Sequence, residues 1–290
     1  MFKVLMTNRS RVLLGLAGAA AVGLAGCNGS GNGGPTAQPT ATPLTTGTPV
    51  ATAVPTASAT PIGNPFRAQY TGTYRTLTPA TGEIGTLLFT VGADGTASGF
   101  FSSPLAPDTI PIRGTVSNAG VLHGSGTADF GGQASRVTVD GTLSRGADRL
   151  FSGTGTFTNA YTNSTVRGTI AARSLAASQV ALFNGSYTGT FVNKVNTSQN
   201  GTVKATVNNG NVTAAIDVPG IGTINGRGIL DFSTGRLTLS APFRYQNTAQ
   251  FFGLNGRVVR AAGNAVVGAG TFTSSAGGRG TFRITKDSNR

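Results

Sequence analysis

The chain has 290 residues, 44 of them glycine, with 38% hydrophobic residues, no tryptophan, nine acidic residues and a formal charge of +13. Glycine keeps no three-residue register, which excludes collagen, and no 3.6-residue apolar period persists beyond the N-terminus, which excludes a helical bundle. One cysteine excludes an internal disulfide, and one histidine beside that cysteine excludes an ordinary zinc centre within a monomer.

The first element is MFKVLMTNRSRVLLGLAGAAAVGLAGC. Lys3, Arg9 and Arg11 precede an apolar run from Val12 to Leu24, which ends on small residues and Cys27. The run is shorter than the roughly 20 residues a membrane-spanning helix needs, and its layout is that of a cleaved export signal. Its last four residues, Leu24-Ala25-Gly26-Cys27, resemble the bacterial lipobox. The resemblance implies a signal peptide over 1–26, cleavage before Cys27, and acylation of the Cys27 thiol and new amino group. Several acyl chains together anchor a protein stably. Asn28 follows, and in diderm bacteria this resembles lipoproteins sorted to the outer membrane rather than the inner. The expected location is the cell envelope, facing the periplasm or the cell surface.

Residues 27–65 carry the lipidation site and a Thr/Pro/Gly-rich segment, NGSGNGGPTAQPTATPLTTGTPVATAVPTASATPIGNP, without a charge or an aromatic ring. Such a stretch buries too little apolar surface to offset the entropy of ordering, and it is expected to be a disordered tether. Its span would be roughly 35 Å as a coil and about 120 Å if fully extended.

The remainder reads as a duplication, with repeat 1 over 66–174 and repeat 2 over 182–290. Tyr70-Thr71-Gly72-Thr73-Tyr74 returns as Tyr187-Thr188-Gly189-Thr190-Phe191, and Gly85-Thr86-Leu87 as Gly201-Thr202-Val203. SGTGTFT (Ser152 to Thr158) returns as VGAGTFT (Val267 to Thr273), and Arg167-Gly168-Thr169-Ile170 as Arg279-Gly280-Thr281-Phe282. In repeat 1 the alternation predicts strands near 68–76, 84–92, 96–102, 110–117, 120–129, 134–144, 149–158 and 165–174. In repeat 2 it predicts 185–193, 201–208, 211–218, 222–232, 235–245, 249–259, 264–273 and 278–286. Asp94-Gly95, Asn118-Ala119-Gly120, Asn200-Gly201 and Asn209-Gly210 supply hairpin chemistry. Eight sequential short strands close naturally into an up-and-down barrel, so the expected fold is all-β, with two tandem eight-stranded antiparallel meander barrels.

Alternation also assigns faces. Phe151, Gly153, Gly155 and Phe157 share one face, while Ser152, Thr154, Thr156 and Thr158 share the other. Glycines among rings are expected inside, where they let the sheet coil, and threonines are expected against water. A Thr/Arg outer face argues against a transmembrane barrel. The meander resembles, in architecture alone, small barrels of the avidin and lipocalin type and the barrel lobes of transferrin-receptor-class surface lipoproteins. No ligand motif of those families is present.

Chemistry is sparse. His123 lies on a predicted strand with only Ser125 nearby, so no triad assembles from neighbouring residues. Gly220 to Gly226 (GIGTING) precedes no predicted helix, as a phosphate loop would require. No catalytic residue, metal ligand or cofactor is expected, and neither is an enzyme. Charge is more telling. Residues 66–174 hold eight basic and six acidic residues, against eleven and three in 175–290. Arg244, Arg257, Arg260, Arg279 and Arg283 of repeat 2 are candidate contacts for an anionic glycan, lipopolysaccharide or membrane surface, without nucleic-acid specificity. The expected role is binding or structural. A polysaccharide hydrolase or a small-molecule carrier with a barrel cavity are the alternatives.

Overall fold

The structure is a computed structural model that describes residues 63–129, 134–161 and 164–288. The signal segment, Cys27 and the tether up to residue 62 lie outside the described residues. The first barrel comprises β1 (Ala68–Thr78), β2 (Ile84–Val91), β3 (Thr96–Ser102), β4 (Ile110–Val116), β5 (Val121–Asp129), β6 (Ala134–Arg145), β7 (Phe151–Tyr161) and β8 (Ser164–Ser174). The second comprises β9 (Gly185–Asn193), β10 (Gly201–Asn208), β11 (Asn211–Val218), β12 (Gly222–Leu230), β13 (Arg236–Tyr245), β14 (Thr248–Arg260), β15 (Val266–Ser274) and β16 (Arg279–Lys286).

Each strand pairs antiparallel with its sequence neighbour, and each set closes on itself. Tyr74 faces Ile170 across the β1–β8 seam, and Phe191 faces Phe282 across β9–β16. The repeats are therefore two separate barrels. Closure leaves no open sheet edge to pair with another chain.

Inward alternation builds each core. In the first barrel Tyr70 stacks on Phe89, and Tyr74, Phe101 and Phe157 form a ring cluster with centroids 5.3–5.9 Å apart. In the second, Phe191, Phe252 and Phe272 do the same at 4.7–5.3 Å. Glycine is needed beside these rings. A Cβ at Gly168 would sit 2.4 Å from the Phe157 ring, and one at Gly280 would sit 1.8 Å from the Val192 carbonyl oxygen.

Three features depart from the sequence reading. The segment between the barrels contains a short helix, α1 (Ala177–Phe183), whose Phe183 packs on Phe232 and closes one end of the second barrel. Lys286 clasps it by donating from Nζ to the carbonyls of Ala181 and Leu182, the free acceptors of its last turn. Seven residues are too few for a periodicity signal, so only docking makes this helix visible.

Asn200-Gly201 is not a tight hairpin. A 3₁₀ turn over Thr197–Gln199 lengthens that connection, and Asn200 keeps an extended backbone.

The outward hydroxyls do not all face water. Thr86, Ser102, Thr238 and Ser240 are buried where β2 and β3 pack against β12 and β13, and Thr71 of β1 is buried against Asp231 and Phe232 of the β12–β13 connection. There the Thr86 and Thr238 hydroxyls bond each other at 2.5 Å, and the Thr238 hydroxyl also lies 3.2 Å from the Ser102 carbonyl. Leu88 and Ile229, which point out of their own barrels, are buried in the same contact.

Candidate functional site

The second barrel's charge sits on its outer wall, because arginine and lysine occupy outward positions between inward apolar ones. Its three acids are already engaged by hydroxyls. Asp217 accepts from Thr202 and Thr223, Asp231 from Thr71, Ser233 and Thr234, and Asp287 from Thr188. Among the described residues, the ion pairs present, His123–Asp140 and Arg173–Asp148, belong to the first barrel. Among the described residues the cations of the second barrel thus have no acid partner.

The candidate arginines fall into three places. Arg257 and Arg283 share one cross-strand row, Arg236–Arg257–Ala269–Arg283. Two strand steps separate Arg257 from Arg283, about 10 Å. Arg236, which the sequence reading left outside its candidate set, opens this row. Its guanidinium donates to the Ile84 carbonyl and Asn255 Oδ1, tying the row to the first barrel. Burial, and secondarily the charge of Arg257, push its pKa down.

Arg260 stands at the far end of β14 and donates to Asn264 Oδ1. Arg244 pairs in register with Ala249 at the opposite end, about 26 Å from Arg257 along the strand. Arg279 opens β16 at that same end, beside Lys194, whose backbone N–H donates to the Arg279 carbonyl. The five arginines are therefore a row and two ends rather than one patch. Phe252 of β14 points into the core and adds no ring to the outer wall.

The barrel interiors differ at their mouths. In the second barrel, at the end away from α1, a cavity of about 290 Å³ opens over Phe191, Phe252 and Phe272. Val218, Ile221 and Ile224 form its apolar wall, and Asn193, Asn196 and Gln199 its amide rim. No charged side chain lines it.

The corresponding space in the first barrel is only about 130 Å³. Glu83 projects there, and its Oε1 accepts from the Tyr74 hydroxyl at 3.0 Å and from the Ser103 hydroxyl at 2.5 Å. Burial, and secondarily the Glu83 charge, raise the Tyr74 pKa well above the ordinary tyrosine value. The first mouth thus holds one carboxylate and the second none.

His123 faces Asp140 across β5–β6, Nδ1 to Oδ1 at 2.7 Å, with both side chains about two-thirds exposed. The pairing depends on strand register, and nothing in the spacing of 17 residues announces it. No pocket lies over the pair among those at the mouths and grooves. No group of three or more His, Cys, Asp or Glu side chains gathers among the described residues. Gly220 to Gly226 forms the β11–β12 turn and the start of β12, a strand without the helix a phosphate loop requires. No known family matches this chain, and no curated protein matches it.

Proposed function

We propose that this chain is a lipid-anchored protein of the bacterial envelope that binds rather than catalyses, holding two barrels on a tether from Cys27. The second barrel meets anionic glycan, lipopolysaccharide or an anionic membrane surface through its outer wall. The observation that carries this reading is the row Arg236–Arg257–Ala269–Arg283, in a barrel whose three acids are all engaged by hydroxyls. Unpartnered cations about 10 Å apart on a rigid sheet suit a repeating anionic polymer, which meets several at once. Among the described residues that line the two mouths Glu83 is the one carboxylate, where glycoside hydrolysis uses a pair, and this favours binding over hydrolysis.

Charge reversal tests the wall. In the triple variant Arg257→Glu/Arg260→Glu/Arg283→Glu, affinity for lipopolysaccharide and for phosphatidylglycerol vesicles is expected to fall about tenfold or more at moderate salt. The Arg→Lys triple variant should retain most of it. Unchanged affinity in the Glu variant removes the wall from the function. Anchoring is tested separately, since Cys27→Ser should release the protein from the membrane fraction.

A further inference from the structure

The mouth of the second barrel is wider than that of the first, about 290 Å³ against about 130 Å³. Its floor is aromatic and its wall aliphatic, and three cations stand just outside it. Lys194 lies between Asn193 and Val195, Arg244 between Phe243 and Tyr245, and Arg279 directly after Gly278, and all five of those neighbours line the mouth. Alternation turns each cation away from the cavity to the outer side of the rim, where all three are exposed. Lys194 and Arg279 sit together where β9 pairs with β16, and Arg244 stands on β13, half-way round the barrel, so the cations face the opening from two sides. None of them pairs with an acid among the described residues.

Dry interior and charged surround match a ligand with two unlike ends. We infer that the mouth binds a small anionic amphiphile, a short acyl or aryl group carrying a carboxylate or phosphate head. The apolar end sits over Phe191, Phe252 and Phe272, and the head emerges among Lys194, Arg244 and Arg279. At about 290 Å³ the cavity lies at the small end of ligand sites, which limits the buried part to one ring or a short chain. A neutral polyol fits less well, because below the amide rim its hydroxyls would meet Val218, Ile221 and Ile224, which offer no hydrogen bond. An organic cation does not fit either, since its head would emerge among three like charges.

This inference rests on the mouth and not on the arginine row, so the two can fail separately. The test titrates hexanoate, hexanol and hexyltrimethylammonium into the full chain and follows the methyl resonances of Val218, Ile221 and Ile224. Hexanoate is expected to shift these methyls and to bind about tenfold or more tightly than hexyltrimethylammonium. Leu87 and Val139, in the first barrel, should not move.

Two variants guard against loss of folding. Ile221→Trp, at a half-buried rim position, should abolish the shifts while the first-barrel resonances stay native. Lys194→Glu/Arg244→Glu/Arg279→Glu, entirely on the surface, should reverse the preference between anion and cation. Phosphatidylglycerol vesicles that shift the same methyls would identify a bilayer lipid as the source. A shift with hexanoate alone would identify a free acid. The inference is overturned if hexanoate leaves the three methyls unmoved, if the cation binds equally well, or if Ile221→Trp keeps the native shifts.

Discussion

The two barrels share one architecture, and their mouths show how far it can be turned toward different ends. In the first barrel the β3–β4 connection runs from Ser103 to Thr109, and it brings Leu105 and Ala106 over the opening. The same connection reaches the second barrel, where the Ser240 hydroxyl donates to the Ala106 carbonyl. In the second barrel the corresponding connection is only Pro219-Gly220-Ile221, and the mouth stays open. The polar groups differ as well. Tyr74 and Glu83 tie the first mouth together, whereas the equivalent of Tyr74 is Phe191, which has no hydroxyl to tether anything. One copy has become a filled scaffold and the other has kept an accessible interior. At the mouths a loop length, one hydroxyl and one carboxylate separate them.

The opposite ends are alike, and the likeness can be put under strain. Tyr70 donates to the Phe66 carbonyl at 2.7 Å, and Tyr187 donates to the Phe183 carbonyl at 2.6 Å. Both phenylalanines close their barrel, but Phe183 is buried on α1 whereas Phe66 is half-buried. Phe183→Ala is expected to cost about 3–5 kcal/mol in urea denaturation, and Phe66→Ala clearly less. Equal losses would show that the helix adds nothing to the second plug.

A smaller effect belongs to the contact between the barrels. Thr238→Val leaves the Thr86 hydroxyl without its short partner and the Ser102 carbonyl without its donor, at a cost of about 1–3 kcal/mol. Thr86→Val combined with it should cost less than the sum of the two singles. Strict additivity in that double-mutant cycle would mean that the barrels share no energy through this pair.

Tyr74→Phe gives the first mouth the ring of the second while Glu83 stays in place. Loss of its bond to Glu83 should reduce stability by about 1 kcal/mol, since the Ser103 donor remains. No matching change exists at Phe191, so a loss as large as that of Phe183→Ala would reveal a larger role for the first mouth.

Alkali should give the mildest effect near its onset. Burial raises the pKa of Tyr70 and Tyr187 above the ordinary 10.0, so both hold their protons in the fold. That stability is complete below pH 10.0 and declines as the unfolded chain ionises above it. Tyr187→Phe should flatten the fall in melting temperature above this pH. A slope identical to the native one would exclude Tyr187 as a source.

Much of this was legible in the residues. Strand positions followed from alternation and Gly turns, and the barrel count from a duplication visible in four matched segments. The Phe66–Tyr70 and Phe183–Tyr187 spacing was also present as a repeated Phe-x-x-x-Tyr, although the reading of the sequence passed over it. The charge surplus of the second copy could be counted directly. What could not be read was which side of a strand meets another barrel. A threonine facing water and one facing a neighbouring sheet have the same alternation, so Thr86 and Thr238 gave no sign of their burial.

The sequence by itself determined the strands, their inward faces and the excess of cations on repeat 2, because those depend on local period and composition. Tertiary structure decided the rest: the contact between barrels, the row joining Arg236 to Arg283, the His123–Asp140 pair and the open mouth of the second barrel. Each depends on register or loop path, which bring together residues that are far apart in the chain.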